Sequence, residues 1–198
     1  MTRWPQHPDT LSRRDLEANR MRELYAAAVG PAHALTDEQL SQSLTAALAA
    51  KPRGGGWGVL AYGSLLGKGL LPGAERRPAT LNGLHRRFCL WSLAARGTRA
   101  CPGLVLGLDR GGACRGVALR LPAMLALDEL HLLWRREMVV DSYHPRWVKV
   151  DADGREIVAL TFVVRRDHPQ YAGRLSLADE VDVLASACGA FGSSLDYL

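Results

Sequence analysis

The chain has 198 residues, 47% of them apolar and 23% charged, with a formal net charge of +5. That is the make-up of a globular protein with one well-cored domain, or one domain with an appendage, and it excludes disordered and collagen-like classes. No apolar run approaches the roughly 18–20 residues that cross a bilayer, and residues 1–14 lack an apolar core of the kind a secretory leader carries. A cytoplasmic protein with no membrane partner is therefore expected.

The four cysteines, Cys89, Cys101, Cys114 and Cys188, form no CxxC pair, and the six histidines form no HExxH. Buried or spare thiols are expected, with no disulfide framework, no metal and no cofactor. The charge is unevenly spread. Between Gln39 and Leu127 stand 12 Arg or Lys against two acids, Glu75 and Asp109. Such a block either meets an anionic partner, a nucleic acid or a carboxylate-bearing small molecule, or is simply a solvated arginine face.

In chain order, residues 1–53 read as a helical arm. Thr10-Leu11-Ser12 precedes a polar helix through Tyr25, and Gly30-Pro31 breaks it. Thr36 then opens a second helix with the capping-box spacing Thr36 to Gln39, followed by Leu40, Leu44, Ala47 and Leu48. The stretch Lys51-Pro52-Arg53-Gly54-Gly55-Gly56 is a strong breaker and marks the expected boundary with a main domain over 54–198. There, strand-like runs fall at 57–62, 80–91, 103–108, 114–121, 147–150 and 156–164. Gly111-Gly112 and Asp151 to Gly154 read as hairpin turns. Helices are expected at about 123–139 and 176–188. Strands follow one another without intervening helices, so the expected fold is α+β, with a mixed, curved or closed, barrel-like sheet and flanking helices.

Three segments carry candidate chemistry. In the first, a β run containing Leu60 and Ala61 ends at Tyr62-Gly63-Ser64-Leu65. Backbone N–H groups of such a turn can hold a carboxylate or a carbonyl oxygen, although the pattern alone favours an ordinary strand-to-loop turn. Walker A, GxGxxG and GxSxG spacings are all missing.

The second is Leu127 to Met138. At 100° per residue, Leu127, Leu130, Leu133, Trp134 and Met138 share one arc, and Glu137 sits about 20° from Leu130 within it. A carboxylate on a core-facing stripe is either ion-paired to one of the many arginines or desolvated and suited to proton transfer. The third is Asp141 to Trp147, in which Tyr143 and His144 either reach the same cleft or pack as an aromatic loop. His85-Arg86-Arg87-Phe88 has the basic-aromatic character of an RNA binder, yet it alternates as a strand.

Together these pieces resemble the γ-glutamylcyclotransferases of the ChaC type. The matching pieces are Trp57 to Leu65, Gly83 to Leu90, Arg96-Gly97-Thr98 with Pro102 to Leu108, Gly116 to Pro122, Leu133 to Met138, Tyr143 to Trp147, and Ala187 to Leu198. The resemblance implies cleavage of glutathione to 5-oxoproline and cysteinylglycine without metal or nucleotide. It implies that Leu60, Ala61, Tyr62, Gly63, Ser64 and Leu65 receive the γ-glutamyl group and that Glu137 transfers the proton, with Tyr143 as a further hydrogen-bonding partner. Ala61 departs from the glycine usual in the family. Two other readings stand beside this one: a basic RNA- or protein-binding module, and the same scaffold acting on another γ-glutamyl amine or peptide.

Overall fold

The structure is a computed structural model, described for residues 12–53, 56, 58–66, 71 and 73–194. Thr10, Leu11, Gly54, Gly55, Trp57, the Gly67-Lys68-Gly69 stretch and the last four residues of the C-terminal matching piece lie outside the described residues. Five strands, β1 (Gly58–Ala61), β2 (Glu75–Ser92), β3 (Gly103–Arg120), β4 (Tyr143–Ala152) and β5 (Arg155–Val164), close into a barrel in the order β1-β3-β2-β4-β5. Closure is completed by parallel pairing of β1 with β5 at Val59–Leu160 and of β3 with β5 at Leu108–Val163. This is the expected α+β fold with a closed sheet.

Two runs expected as separate strands, 103–108 and 114–121, are one strand. Gly111-Gly112 is a bulge and not a hairpin turn. Asn82 pairs with Ala113 while Leu84 pairs with Arg110, so Gly83 alone faces both glycines. All three glycines have positive φ (86°, 95° and 63°), a conformation that side chains with a Cβ resist. The second expected hairpin does form. Asp153 and Gly154 take φ of 54° and 74°, and Asp151 Oδ1 accepts from Gly154 N at 2.8 Å, joining β4 to β5. Strand β4 begins at Tyr143, so Tyr143 to Trp147 is sheet and not an aromatic loop.

The helices are α1 (Arg13–Glu17), α2 (Arg20–Val29), α3 (Asp37–Ala49), α4 (Ala126–Glu137) and α5 (Leu177–Ser186). The single polar helix expected through Tyr25 is two, because Asn19 takes φ of 54° and interrupts it. Helix α3 starts at its capping box. Thr36 Oγ1 accepts from Gln39 N at 3.2 Å, and Gln39 Oε1 accepts from Thr36 N at 2.8 Å.

Leu40 and Leu44 of α3 share one buried cluster with Val59, Leu130, Trp134, Leu160 and Phe162, so the N-terminal helices pack onto the barrel and α4. Two indole N–H groups fasten this contact. Trp134 Nε1 donates to Ser43 Oγ at 3.2 Å, and Trp147 Nε1 donates to the Ala47 carbonyl at 2.7 Å.

Helix α4 is buried on two faces. Leu130, Leu133 and Trp134 turn to the barrel, as their period requires, while Leu127 in the first turn is 51% exposed and departs from the expected stripe. The second face carries Glu129 and Leu132. Glu129 is buried and accepts a 2.6 Å hydrogen bond from Arg13 Nη1 of α1. Leu132 packs in one cluster with Leu16, Met21 and Leu24 of the N-terminal helices.

Candidate active site

At the end of β1 the chain leaves the barrel through Tyr62 and Gly63 into a single 3₁₀ turn, Ser64–Leu66. The Leu66 N–H closes it on the Gly63 carbonyl at 2.8 Å. Two arginines of β2 hold its ends. Arg86 Nη1 donates to the Tyr62 carbonyl at 2.6 Å, and Arg76 Nη2 donates to the Leu66 carbonyl at 2.8 Å. In a trans peptide the C=O and the following N–H point opposite ways. Fixing the Tyr62 carbonyl on Arg86 therefore turns the Gly63 N–H away from Arg86. The Tyr62 hydroxyl donates to the Phe162 carbonyl at 2.8 Å and locks the turn to β5.

Tyr62, Gly63, Ser64 and Leu65 line a cavity that the end of α4 also lines, with Arg136 and Glu137. Leu60 and Ala61 are buried in β1 and do not line it. Tyr143 does line it. Its ring meets Phe162 edge-on at 6.2 Å, and Phe162 in turn meets Trp134 edge-on at 5.4 Å, so an aromatic series connects α4 to the cavity wall. The structure thus brings together Glu137, the Tyr62–Leu65 turn and Tyr143. His144 is exposed and is not among the cavity's lining residues.

Glu137 is the last residue of α4, and its side chain is 12% exposed. Burial pushes its carboxyl above the usual carboxylate range, while the neighbouring Arg136 guanidinium pulls the other way. The carbonyl end of the helix adds to the upward push, because it repels negative charge. Arg136 Nε lies 3.2 Å from Glu137 Oε1, yet the two are not aligned as a hydrogen bond. Oε1 of Glu137 and Nη1 of Arg136 are both buried without a hydrogen-bonding partner among the described residues. Leaving a buried polar atom unmet costs about 1–3 kcal/mol, more where charge is involved. Two such atoms of opposite polarity on one cavity wall are suited to a ligand that brings both an acceptor and a donor.

Several residues of the site carried no signal in the sequence. Arg136 sits about 20° from Glu129 on the second face of α4, whose burial depends on helices more than a hundred residues earlier. Arg86 belongs to the basic stretch His85 to Phe88, and both its arginines turn to internal partners: Arg86 to Tyr62, and Arg87 to Asp109 at 3.4 Å and to the Gly173 carbonyl at 2.8 Å. Arg96, also on the cavity wall, is buried and donates to the Phe191 carbonyl at 2.8 Å. Among the described residues no group of three or more His, Cys, Asp or Glu is placed to hold a metal ion, and no helix is long and apolar enough to cross a membrane.

A protein-family model described as "ChaC-like protein" matches residues 57–198. The curated "Glutathione-specific gamma-glutamylcyclotransferase" of Escherichia coli (strain K12) is 40% identical over 162 residues, covering 81% of this chain and 70% of that protein. Two crystal structures of a yeast γ-glutamyl cyclotransferase specific to glutathione share the fold at 23% identity. One aligns with a TM-score of 0.67 over 72% of this chain and 83% of its own, the other with 0.61 over 72% and 85%.

Proposed function

The chain belongs to the ChaC-like family, and from that premise we propose that it is a γ-glutamylcyclotransferase that splits glutathione into 5-oxoproline and cysteinylglycine, with Glu137 as its general acid and base. The observation that carries this reading is the buried Glu137 carboxyl, whose Oε1 has no hydrogen-bonding partner among the described residues, lining one cavity with the Tyr62–Leu65 turn.

The reaction needs no external nucleophile. The α-amine of the γ-glutamyl residue attacks its own γ-carbonyl carbon, a C–N bond closes a five-membered lactam, and the bond to the cysteinyl nitrogen breaks. Holding the substrate in that folded conformer is the main task of the protein, and orientation of this kind is worth about 7–11 kcal/mol. Two protons leave the α-nitrogen. The α-ammonium gives one up to water on becoming the free amine, and Glu137 takes the other as the C–N bond closes and returns it to the departing nitrogen. That nitrogen leaves as an amine and takes a proton from water, so the proton count balances. A carboxyl displaced upward by burial suits both halves of that transfer.

The unmatched atoms of the wall complement the α-amino acid end of the substrate. The α-ammonium faces Glu137 Oε1, and the α-carboxylate faces Arg136 Nη1. Backbone N–H groups of the Gly63–Leu65 turn hold the γ-carbonyl oxygen as charge builds on it, with Tyr143 on the adjoining wall.

The test is incubation of the purified protein with glutathione and, in parallel, with γ-glutamylalanine, followed by chromatographic measurement of 5-oxoproline. Release from glutathione with little from γ-glutamylalanine is expected. Release from γ-glutamylalanine alone would move the substrate to another γ-glutamyl compound, and release from neither would overturn the reading.

A further inference from the structure

The polar groups that face the γ-glutamyl end occupy only part of the cavity. Beside them, and besides Ser92, Arg96, Ser142 and Gln170, the lining includes an apolar stretch, built in part by α2, which lies before the family-matched stretch 57–198. Met21 and Tyr25 stand four residues apart on α2, hence on one face of the helix, and both line the cavity together with Ala95, Val140 and Phe191. These five belong to a single apolar cluster, with Leu24 and Val29 continuing the buried side of α2. Val139, two residues after Glu137, belongs both to that cluster and to the cavity wall. The apolar stretch of the lining therefore includes a residue two positions along the chain from Glu137.

The helix pair that presents this wall is held firmly. Leu16 and Leu24 pack with Leu132 of α4, Arg13 reaches the buried Glu129, and Arg135 Nη1 donates to the Glu17 carbonyl at 3.0 Å. A wall fixed to the same helix that carries Glu137 keeps its distance from the reacting atoms.

In a γ-glutamyl peptide whose γ-carbonyl lies at Glu137, the next side chain along is that of the leaving residue. From this we infer that Met21 and Tyr25 of α2 form the pocket for the leaving residue's side chain and select a cysteinyl group over smaller ones. The inference rests on the cyclotransferase reading above. A thiol is small, apolar and polarizable, and it packs favourably against a thioether and an aromatic ring. The helical segment before the barrel is thus a specificity element.

The experiment compares kcat/KM for glutathione and for γ-Glu-Ala-Gly, which lacks only the sulfur, in the wild type and in Met21→Ala, Met21→Leu and Tyr25→Ala. The wild type is expected to prefer glutathione by about tenfold or more, the range a single buried group supplies. Met21→Ala and Tyr25→Ala should cut that preference several-fold, mainly by raising KM for glutathione. Met21→Leu, which refills the volume, should keep most of it. An unchanged ratio, or an equal loss on both peptides as misfolding would give, overturns the inference while the cyclotransferase reading stands. A wild type that releases 5-oxoproline from neither peptide overturns both.

Discussion

Arg86 Nη1 donates a 2.6 Å hydrogen bond to the carbonyl oxygen of Tyr62, 24 residues earlier in the chain. Through it, the middle of β2 sets the direction of the peptide between Tyr62 and Gly63, the first peptide of the turn that shares a cavity with Glu137. Arg86→Met keeps the aliphatic stem and removes the donor. A hydrogen bond to a charged group contributes about 1.5–3 kcal/mol, so KM for glutathione should rise about tenfold or more, with a smaller change in kcat. Steady-state kinetics checks this. An unaltered KM would mean that the turn holds its shape without the arginine.

Arg136 supplies the second measurable relationship. Arg136→Gln removes the cation placed to meet the α-carboxylate, and it also removes the one nearby charge that favours ionisation of Glu137. KM should rise at least tenfold, and the acidic limb of the rate profile should move to higher pH. Arg136→Lys should recover part of the affinity, since a point charge remains but the fork of donors does not.

The displacement of Glu137 also has a sign for stability. Its folded-state pKa lies above the unfolded value, so the folded chain binds the proton more tightly than the unfolded one. The folded state is then unpenalised below the unfolded pKa, near 4.5, and loses stability as pH rises through the folded value. Glu137→Gln removes that loss. Its Tm should exceed the wild-type Tm by a few degrees at pH 7–8, and the gap should close towards pH 4, as thermal melts across pH would show.

Asp109 has the opposite sign. Its carboxylate is buried among Arg87, Arg166 and Tyr171, whose hydroxyl donates to Oδ2 at 2.6 Å. Burial opposes ionisation, but the Tyr171 hydroxyl, the Arg110 N–H and the two arginines together hold the carboxyl below its ordinary value. Its stabilisation is present above the unfolded pKa, near 3.8, and is lost as pH falls through the folded one. Asp109→Asn removes the carboxylate from two guanidiniums, which keep only neutral partners at the Gly173 carbonyl and the Tyr171 hydroxyl. With Arg166 half exposed, about 2–3 kcal/mol of destabilisation at pH 7 is expected. That corresponds to a Tm drop of roughly 4–12 °C, shrinking in acid.

What could be read from the sequence was what local rules decide. The Thr36 capping box, the Asp153-Gly154 turn and the inward face of α4 at Leu130, Leu133, Trp134 and Glu137 each follow from a few adjacent residues. The bulge at Gly111-Gly112 escaped because two glycines between apolar runs signal a hairpin and a bulge alike, and only the pairing with Gly83 separates them. Glu129 and Arg136 escaped because α4 is covered on a second side by α1 and α2. Arg86 escaped because its role depends on a carbonyl on another strand. Met21 and Tyr25 lay in a segment that read only as a polar helix, and the fold makes them line the same cavity as Glu137.

The most direct measurement is the turnover of Glu137→Gln on saturating glutathione, followed as 5-oxoproline release by a variant shown to be folded by circular dichroism. The substitution keeps the shape of the side chain and removes its ability to carry a proton. A fall in kcat of about 10²–10⁴-fold is predicted, the usual contribution of a positioned acid–base group, with KM changed far less. Turnover near that of the wild type would contradict the account, since the reaction would then proceed without the buried carboxyl that lines the cavity together with the turn.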